Sequence, residues 1–303
     1  MISLIIPTKD RGALLEQTIR QARASLTSFD HEIIVINDAT SEVSLPSELS
    51  DMLTIVNNPK QGVASARNYG VSLAKGEWLL FLDDDMLMDT TNVRDVLSIA
   101  QNQPNACYNI NWEYPPNLKS KLEHSQFGRF LNHYGFTTFR GWHKNSAWDS
   151  HAIFASNAVT SQFLFISKDV FLRTGGYNEG FPFAGFEDYD LAQRFKQHQI
   201  GIFINPNTMA YHNEADRNTI EKWLARRKRG GKTRQVAVQM GYSELTLHYG
   251  AIKSGIYNFV LLHQNTFLRL LEFIPNMKLF DRVYFLVTNL LYGAYVYEGY
   301  HEK

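Results

Sequence analysis

Apolar residues in the first third of the chain fall in short runs separated by polar clusters. Residues 2–6 (ISLII) end at Pro7, and a run of this length suits a strand buried on both faces. Leu14, Leu15, Thr18, Ile19, Ala22 and Leu26 then recur at a helical period. Residues 31–36 (HEIIVI) predict a second buried strand, closed by Asn37-Asp38-Ala39-Thr40, and residues 53–56 a third. A turn over 57–62 leads into a helix with its stripe at Val63, Ala66, Gly70 and Leu73. Residues 78–82 (WLLFL) predict a fourth strand, and Asp83, Asp84 and Asp85 follow it directly. This alternation predicts an open α/β sheet that is largely parallel. In such sheets ligands bind beyond the carboxyl ends of the strands, where residues 7–11, Asn37, Asp38 and the three aspartates converge.

The middle of the chain has no such rhythm. Ten aromatic residues lie between Tyr108 and Trp148, mixed with Asn, His and Gly, and predict irregular structure with short strands. A strand is expected at 163–166, a glycine-rich loop from Gly175 to Phe186, a helix starting near Glu187, and a returning strand at 201–205. From Thr219 onward the pattern is helical over 219–240, 256–274 and 279–297, with breaks at Gly or Pro. The expected organisation is a catalytic domain over 1–215, with halves 1–105 and 106–215, followed by a helical region over 216–303.

Composition narrows the function. The 303 residues include 30 Lys+Arg and 30 Asp+Glu, a zero formal net charge that argues against nucleic acid as a partner. The one cysteine, Cys107, excludes a disulfide framework or a thiolate metal cluster. The segment MISLIIPTKD lacks a basic leader and meets Pro7 early, and no run reaches the ~20 apolar residues of a spanning helix. The expected location is the cytoplasm, with the inner face of a membrane as the alternative.

Chemistry concentrates in a few places. Three adjacent carboxylates at a strand end repel one another unless a cation neutralises them, and hard oxygens suit Mg²⁺ or Mn²⁺. A polar turn is the plainer reading. Asp38 reads equally as a turn former, and Arg67 as a solvated helix residue. Glu187 and Asp188 open a helix, where carboxylates complement the macrodipole; the same field is expected to keep a general base ionised. His212, after a strand, is by itself an ordinary structural histidine. Arg226, Arg227, Lys228, Arg229, Lys232 and Arg234 put six cations into nine residues. They suit a solvated helix end, a diphosphate clamp or an anionic membrane surface.

Taken in order, these pieces resemble the inverting family 2 glycosyltransferases of the GT-A fold. The resemblance rests on IIPTKDR (5–11), VINDAT (35–40), GVASARNYG (62–70), FLDDD (81–85), GGY (175–177) and GFEDYDL (185–191). It covers residues 2–195 and thins after His212. It implies a Rossmann-like mixed sheet flanked by helices with a C-terminal helical extension. Pro7, Thr8, Asp10, Arg11, Asp38 and Arg67 would form the nucleotide pocket, with Asp83 and Asp84 toward ribose and sugar. Asp85 and His212 would bind Mn²⁺ or Mg²⁺, Asp188 would be the base, and Glu187 and Trp112 would meet the acceptor. Arg229, Lys232 and Arg234 would face the diphosphate. The implied partners are a nucleotide-sugar donor, with UDP favoured, and a saccharide or lipid-linked acceptor. The C-terminal helices would meet a membrane surface or a second copy of the chain. One departure concerns the nucleotide, because many relatives carry two acidic residues where this chain has Asn37-Asp38. The rivals are a nucleotidyltransferase, disfavoured by the single glycine in 7–12, and a catalytically inactive sugar-binding protein.

Overall fold

The computed structural model describes residues 1–50, 53–216 and 219–302, and the chain parts into two compact units. The first contains Met1–Pro115 and Thr138–Asn213, and the second joins Pro116–Thr137 to the chain from Glu214 onward.

The first unit is built on nine strands: β1 (Ile2–Thr8), β2 (His31–Asn37), β3 (Thr54–Asn57), β4 (Trp78–Leu82), β5 (Met86–Leu87), β6 (Ala106–Glu113), β7 (Phe154–Ala155), β8 (Phe163–Ser167) and β9 (Gly201–His212). Their order is β3-β2-β1-β4-β8-β6-β9-β5, with β7 added on β9. The first four are parallel, as the apolar runs predict. Beyond β4 the sheet is mixed, because β8 runs antiparallel to both β4 and β6 while β6 and β9 run parallel. All seven residues of β1 are buried, so both faces of the strand are covered. On one face Ile5, Ile36, Phe81, Leu164, Phe171, Leu191 and Phe195 form a continuous core. The helix Val63–Leu73 reaches this core closely at Gly70, where a Cβ would overlap the Ile5 side chain.

The irregular stretch expected after Tyr108 contains a regular strand. Asn109 interrupts the apolar pattern of β6 yet is fully buried. Its amide donates to the carbonyls of Thr160 (2.7 Å) and Phe163 (2.6 Å) and its oxygen accepts from Thr160 N–H (3.2 Å). Long-range satisfaction of a polar side chain is invisible to periodicity.

The second unit is helical, and residues 116–137 fall within it, unlike in the expected halves. Here Phe127 and Phe130 pack edge-on against Trp223, with ring centroids 5.9 and 5.5 Å away. The long helices Ile220–Gln239 and Asp281–His301 pack through glycines: a Cβ on Gly231 or Gly299 would fall on the carbonyl oxygen of Val296 or Lys228. The apolar stretch expected as one helix over 256–274 is two, Ala251–Leu262 and Gln264–Phe273. Among the described residues, no helix is long and apolar enough to cross a membrane.

These contacts give opposite expectations for two glycines. Gly299→Ala places a methyl against backbone and should destabilise the helical unit by about 1–3 kcal/mol. Gly255→Ala, mid-helix with nothing within 4 Å, should stabilise it by up to about 1 kcal/mol. Chemical denaturation followed by circular dichroism reads both; equal midpoints would contradict the packing described.

Candidate functional site at the carboxyl edge of the sheet

Parallel strands β1, β2 and β4 deliver their last residues to one edge, and the polar residues there are held by one another. Asp84 is an internal strut. It is 5% exposed, accepts from Thr8 Oγ1 (2.7 Å) and pairs with Arg11 Nη1 (2.6 Å). Burial and neighbouring Asp85 raise its pKa to about 7 against the pull of Arg11. The same Arg11 nitrogen lies 2.8 Å from Asp85 Oδ2. Asp38, after β2, accepts on Oδ1 from Gly62 N–H (2.8 Å) and Asn58 Nδ2 (2.7 Å), while Lys9 approaches Oδ2 at 3.4 Å. Pro7 is buried within β1, whereas Asp10 is exposed at a positive φ of 55° and accepts from Ser41 Oγ at 3.0 Å.

Arg67 is not a solvated residue. It is 2% exposed, with Nη2 on Asp83 Oδ1 (2.9 Å), Nη1 on Glu187 Oε1 (3.0 Å) and its guanidinium 5.2 Å from the centre of the Tyr177 ring. Burial opposes its charge, but the carboxylates of Asp83, Asp188 and Glu187 outweigh that and push its pKa above the ordinary value. Glu187 is equally enclosed: its other oxygen accepts from Gly185 N–H, and burial raises its pKa against Arg67.

Asp188 sits beside this pair at the start of the helix Phe186–Gln197. Oδ1 accepts from Ser161 Oγ, and Oδ2 accepts from Ser161 N–H at 3.1 Å. With the Ser161 proton directed at Asp188, the Tyr177 hydroxyl, 2.6 Å from Ser161 Oγ, is the donor to that oxygen. The helix field was expected to keep Asp188 ionised. Instead burial, with Glu187 alongside, raises its pKa to about 7, although Arg67 and Ser161 pull the other way. Ser161 and Tyr177 escaped the sequence reading because a lone serine in a loop carries no pattern. Tyr177 reads in the sequence only as part of the Gly175-Gly176-Tyr177 turn.

His212 ends β9, in register with Met86, and thereby meets the aspartates. Its Nε2 lies 3.3 Å from Asp85 Oδ1, and Gln162 Nε2 lies 3.2 Å from its Nδ1. Two ligands about 2.1 Å from one ion, at right angles, stand about 3 Å apart, so this oxygen and nitrogen fit adjacent positions around a divalent cation. Trp112 is 3% exposed, stacked on Phe139 and edge-on to His212 at 5.0 Å, so it walls the histidine. Arg229, Lys232 and Arg234 belong to the helical unit. There Lys232 Nζ is 3.8 Å from Glu302, Arg234 Nε donates to the Leu245 carbonyl at 2.6 Å, and Arg229 is exposed.

Residues 3–162 match the family described as glycosyl transferase family 2, and residues 148–216 match the N-terminal domain of galactosyltransferase. An uncharacterized glycosyltransferase of Haemophilus influenzae is 30% identical over 204 residues, which span 65% of this chain and 62% of that protein. A mannosyltransferase from Pyrobaculum calidifontis, solved with GDP-Man and Mn²⁺, shares the fold at a TM-score of 0.58 and 15% identity, covering 100% of this chain and 88% of its own. GalNAc-T7, solved with UDP, GalNAc and Mn²⁺, does so at 0.52 and 15% identity, over 70% of this chain and 43% of its own. The first unit is a GT-A mixed sheet with its polar residues at the carboxyl edge, and the chain belongs to glycosyl transferase family 2.

Proposed function

We propose that this chain transfers a sugar from a nucleotide-sugar to a hydroxyl of a saccharide or lipid-linked acceptor, with inversion and with Asp188 as the base. The observation that carries the reading is the Asp188 carboxylate. Its pKa is raised to about 7, it is oriented through two contacts from Ser161, and Arg67 links its neighbour Glu187 to Asp83. Asp188 takes the proton of the acceptor hydroxyl as that oxygen bonds to the anomeric carbon. The bond from that carbon to the donor diphosphate breaks, and its electron pair leaves with the diphosphate. One displacement inverts the centre. A base near pKa 7 is matched to this task at neutral pH.

For the donor, Asp38 would accept from the base through Oδ2, its Oδ1 being engaged by Gly62 and Asn58. Pro7, Thr8, Asp10, Arg11 and Arg67 would shape that pocket, Arg11 and Thr8 by fixing Asp84, with Asp83 and Asp84 toward ribose and sugar. Glu187 and Trp112 would serve the acceptor side, although both are buried, Glu187 held by Arg67 and Trp112 packed edge-on to His212. Arg229, Lys232 and Arg234 remain candidates for the diphosphate. UDP is the first nucleotide to test, although solved neighbours hold either UDP or GDP-Man. Asp85 and His212 would hold Mn²⁺ or Mg²⁺, the mixed oxygen and nitrogen set favouring Mn²⁺. The chemistry such an ion supplies is neutralisation of charge on the departing diphosphate.

Asp188→Asn preserves size and removes the proton acceptor. It should cut kcat by about 10²–10⁴ and leave donor affinity unchanged. In the parent enzyme, protonation of Asp188 below pH about 7 should lower kcat roughly tenfold per pH unit. Retention of full activity by the Asn variant would remove Asp188 from this role.

Metal dependence is read separately by thermal shift. UDP with Mn²⁺ should raise the melting temperature of the first unit, by the equivalent of about 2.7 kcal/mol at a hundred times Kd. Asp85→Asn should abolish the Mn²⁺-dependent part. A UDP shift indifferent to both Mn²⁺ and EDTA would detach Asp85 and His212 from a metal.

A further inference from the structure

The helical unit carries an apolar surface that nothing in its own fold covers. Among the described residues, ten of the seventeen exposed large hydrophobic side chains fall between Ile252 and Leu286. In the helix Ala251–Leu262 they occupy positions 252, 256, 259 and 262, a single stripe at helical spacing. Phe259 of that stripe meets Phe267 of the helix Gln264–Phe273 at 6.4 Å between ring centroids, so the two helices adjoin along it. The exposure is extreme for such side chains: Ile252 83%, Leu262 78%, Phe273 82%, Leu279 79% and Leu286 71%. Concentration of this kind marks a contact surface, not scattered surface hydrophobes.

Charge identifies the occupant. Interspersed with these residues are four exposed cations, Lys253, Arg269, Lys278 and Arg282, and one exposed carboxylate, Glu272. The other acid of the segment, Asp281, is already paired with Arg129 at 2.7 Å. An identical copy would bring the same positive excess against itself, whereas an anionic lipid surface complements both the apolar side chains and the cations. The basic run around residue 230 is not part of this surface. Lys228 pairs with Glu298 (2.9 Å), Arg226 with Glu214, and Lys232 approaches Glu302, so half of its six cations are engaged by acids of the unit itself. The helices Ala251–Leu262 and Gln264–Phe273 span twelve and ten residues, too short to cross a bilayer, and Asp281–His301, which carries Val283 and Leu286, is not apolar enough to do so.

We propose that the surface formed by residues 252–286 binds the face of an anionic bilayer, inserting Ile252, Phe259, Leu262, Phe273 and Leu279 while Lys253, Arg269, Lys278 and Arg282 engage lipid headgroups. This does not depend on the catalytic reading, and its test measures binding alone.

Flotation of the full chain with vesicles of phosphatidylcholine containing 30% phosphatidylglycerol decides it. Co-migration is expected at low salt, about tenfold weaker on pure phosphatidylcholine and weaker at 0.5 M NaCl. Phe273→Glu with Leu279→Glu, both on exposed positions, should reduce partitioning at least tenfold with an unchanged melting curve. Light scattering should find a monomer without lipid. Failure to float with anionic vesicles at low salt overturns the proposal, as does a dimer that the same double substitution dissociates.

Discussion

The buried guanidinium of Arg67 is the interaction on which the polar carboxyl edge of the sheet depends. A single helix residue joins Asp83, at the end of β4, to Glu187, at the start of the helix Phe186–Gln197 and 120 positions from Arg67 itself. Tyr177 stacks on the same cation and passes its hydroxyl to Ser161, which holds Asp188. Removing one partner of a buried ion pair costs about 3–5 kcal/mol, because the other charge is stranded. The arrangement is a poor way to gain stability, since apolar residues of similar volume would serve as well. It does fix, within one planar group, the spacing between the sheet edge and the carboxylate that we propose as base.

How much of this the sequence made legible depended on how local each cause was. The runs that became β1, β2 and β4 are buried on both faces, and continuous apolarity is a local signal. The edge residues Asp38, Asp83, Asp84, Asp85, Glu187 and Asp188 were legible because each follows a strand or opens a helix. β6 was missed, since Asn109 is satisfied by residues about fifty positions away. The grouping of residues 116–137 with the C-terminal helices was equally hidden, being decided by Phe127 and Phe130 meeting Trp223. Gly231 was placed inside a helix and Gly299 lay beyond the last expected one; that both permit the close approach of two backbones is decided by long-range packing.

The same distinction explains the charged residues whose surroundings differ from expectation. Arg67 looked solvated because helical periodicity assigns a face and not a partner. The basic run near residue 230 reads as unpaired charge because two of its acids, Glu298 and Glu302, stand some seventy residues away. Asp188 was expected to be ionised from its place at a helix start. Desolvation and an adjacent carboxylate outweigh that field, which acts only over the first turn and is modest beside burial.

The charge balance of the edge follows. Asp83, Asp84, Asp85, Glu187 and Asp188 crowd around two guanidiniums, Arg11 and Arg67. Five carboxylates cannot all remain ionised beside two cations in a desolvated site, and the excess can be relieved in two ways. Protons relieve it by raised pKa values, and both Asp84 and Asp188 sit at about 7. A divalent cation beside Asp85 and His212 would relieve it without protons, and would draw the Asp84 carboxyl back toward ionisation. Relief by a cation belongs to the end we propose for the metal, and relief by a proton to the carboxylate we propose as base.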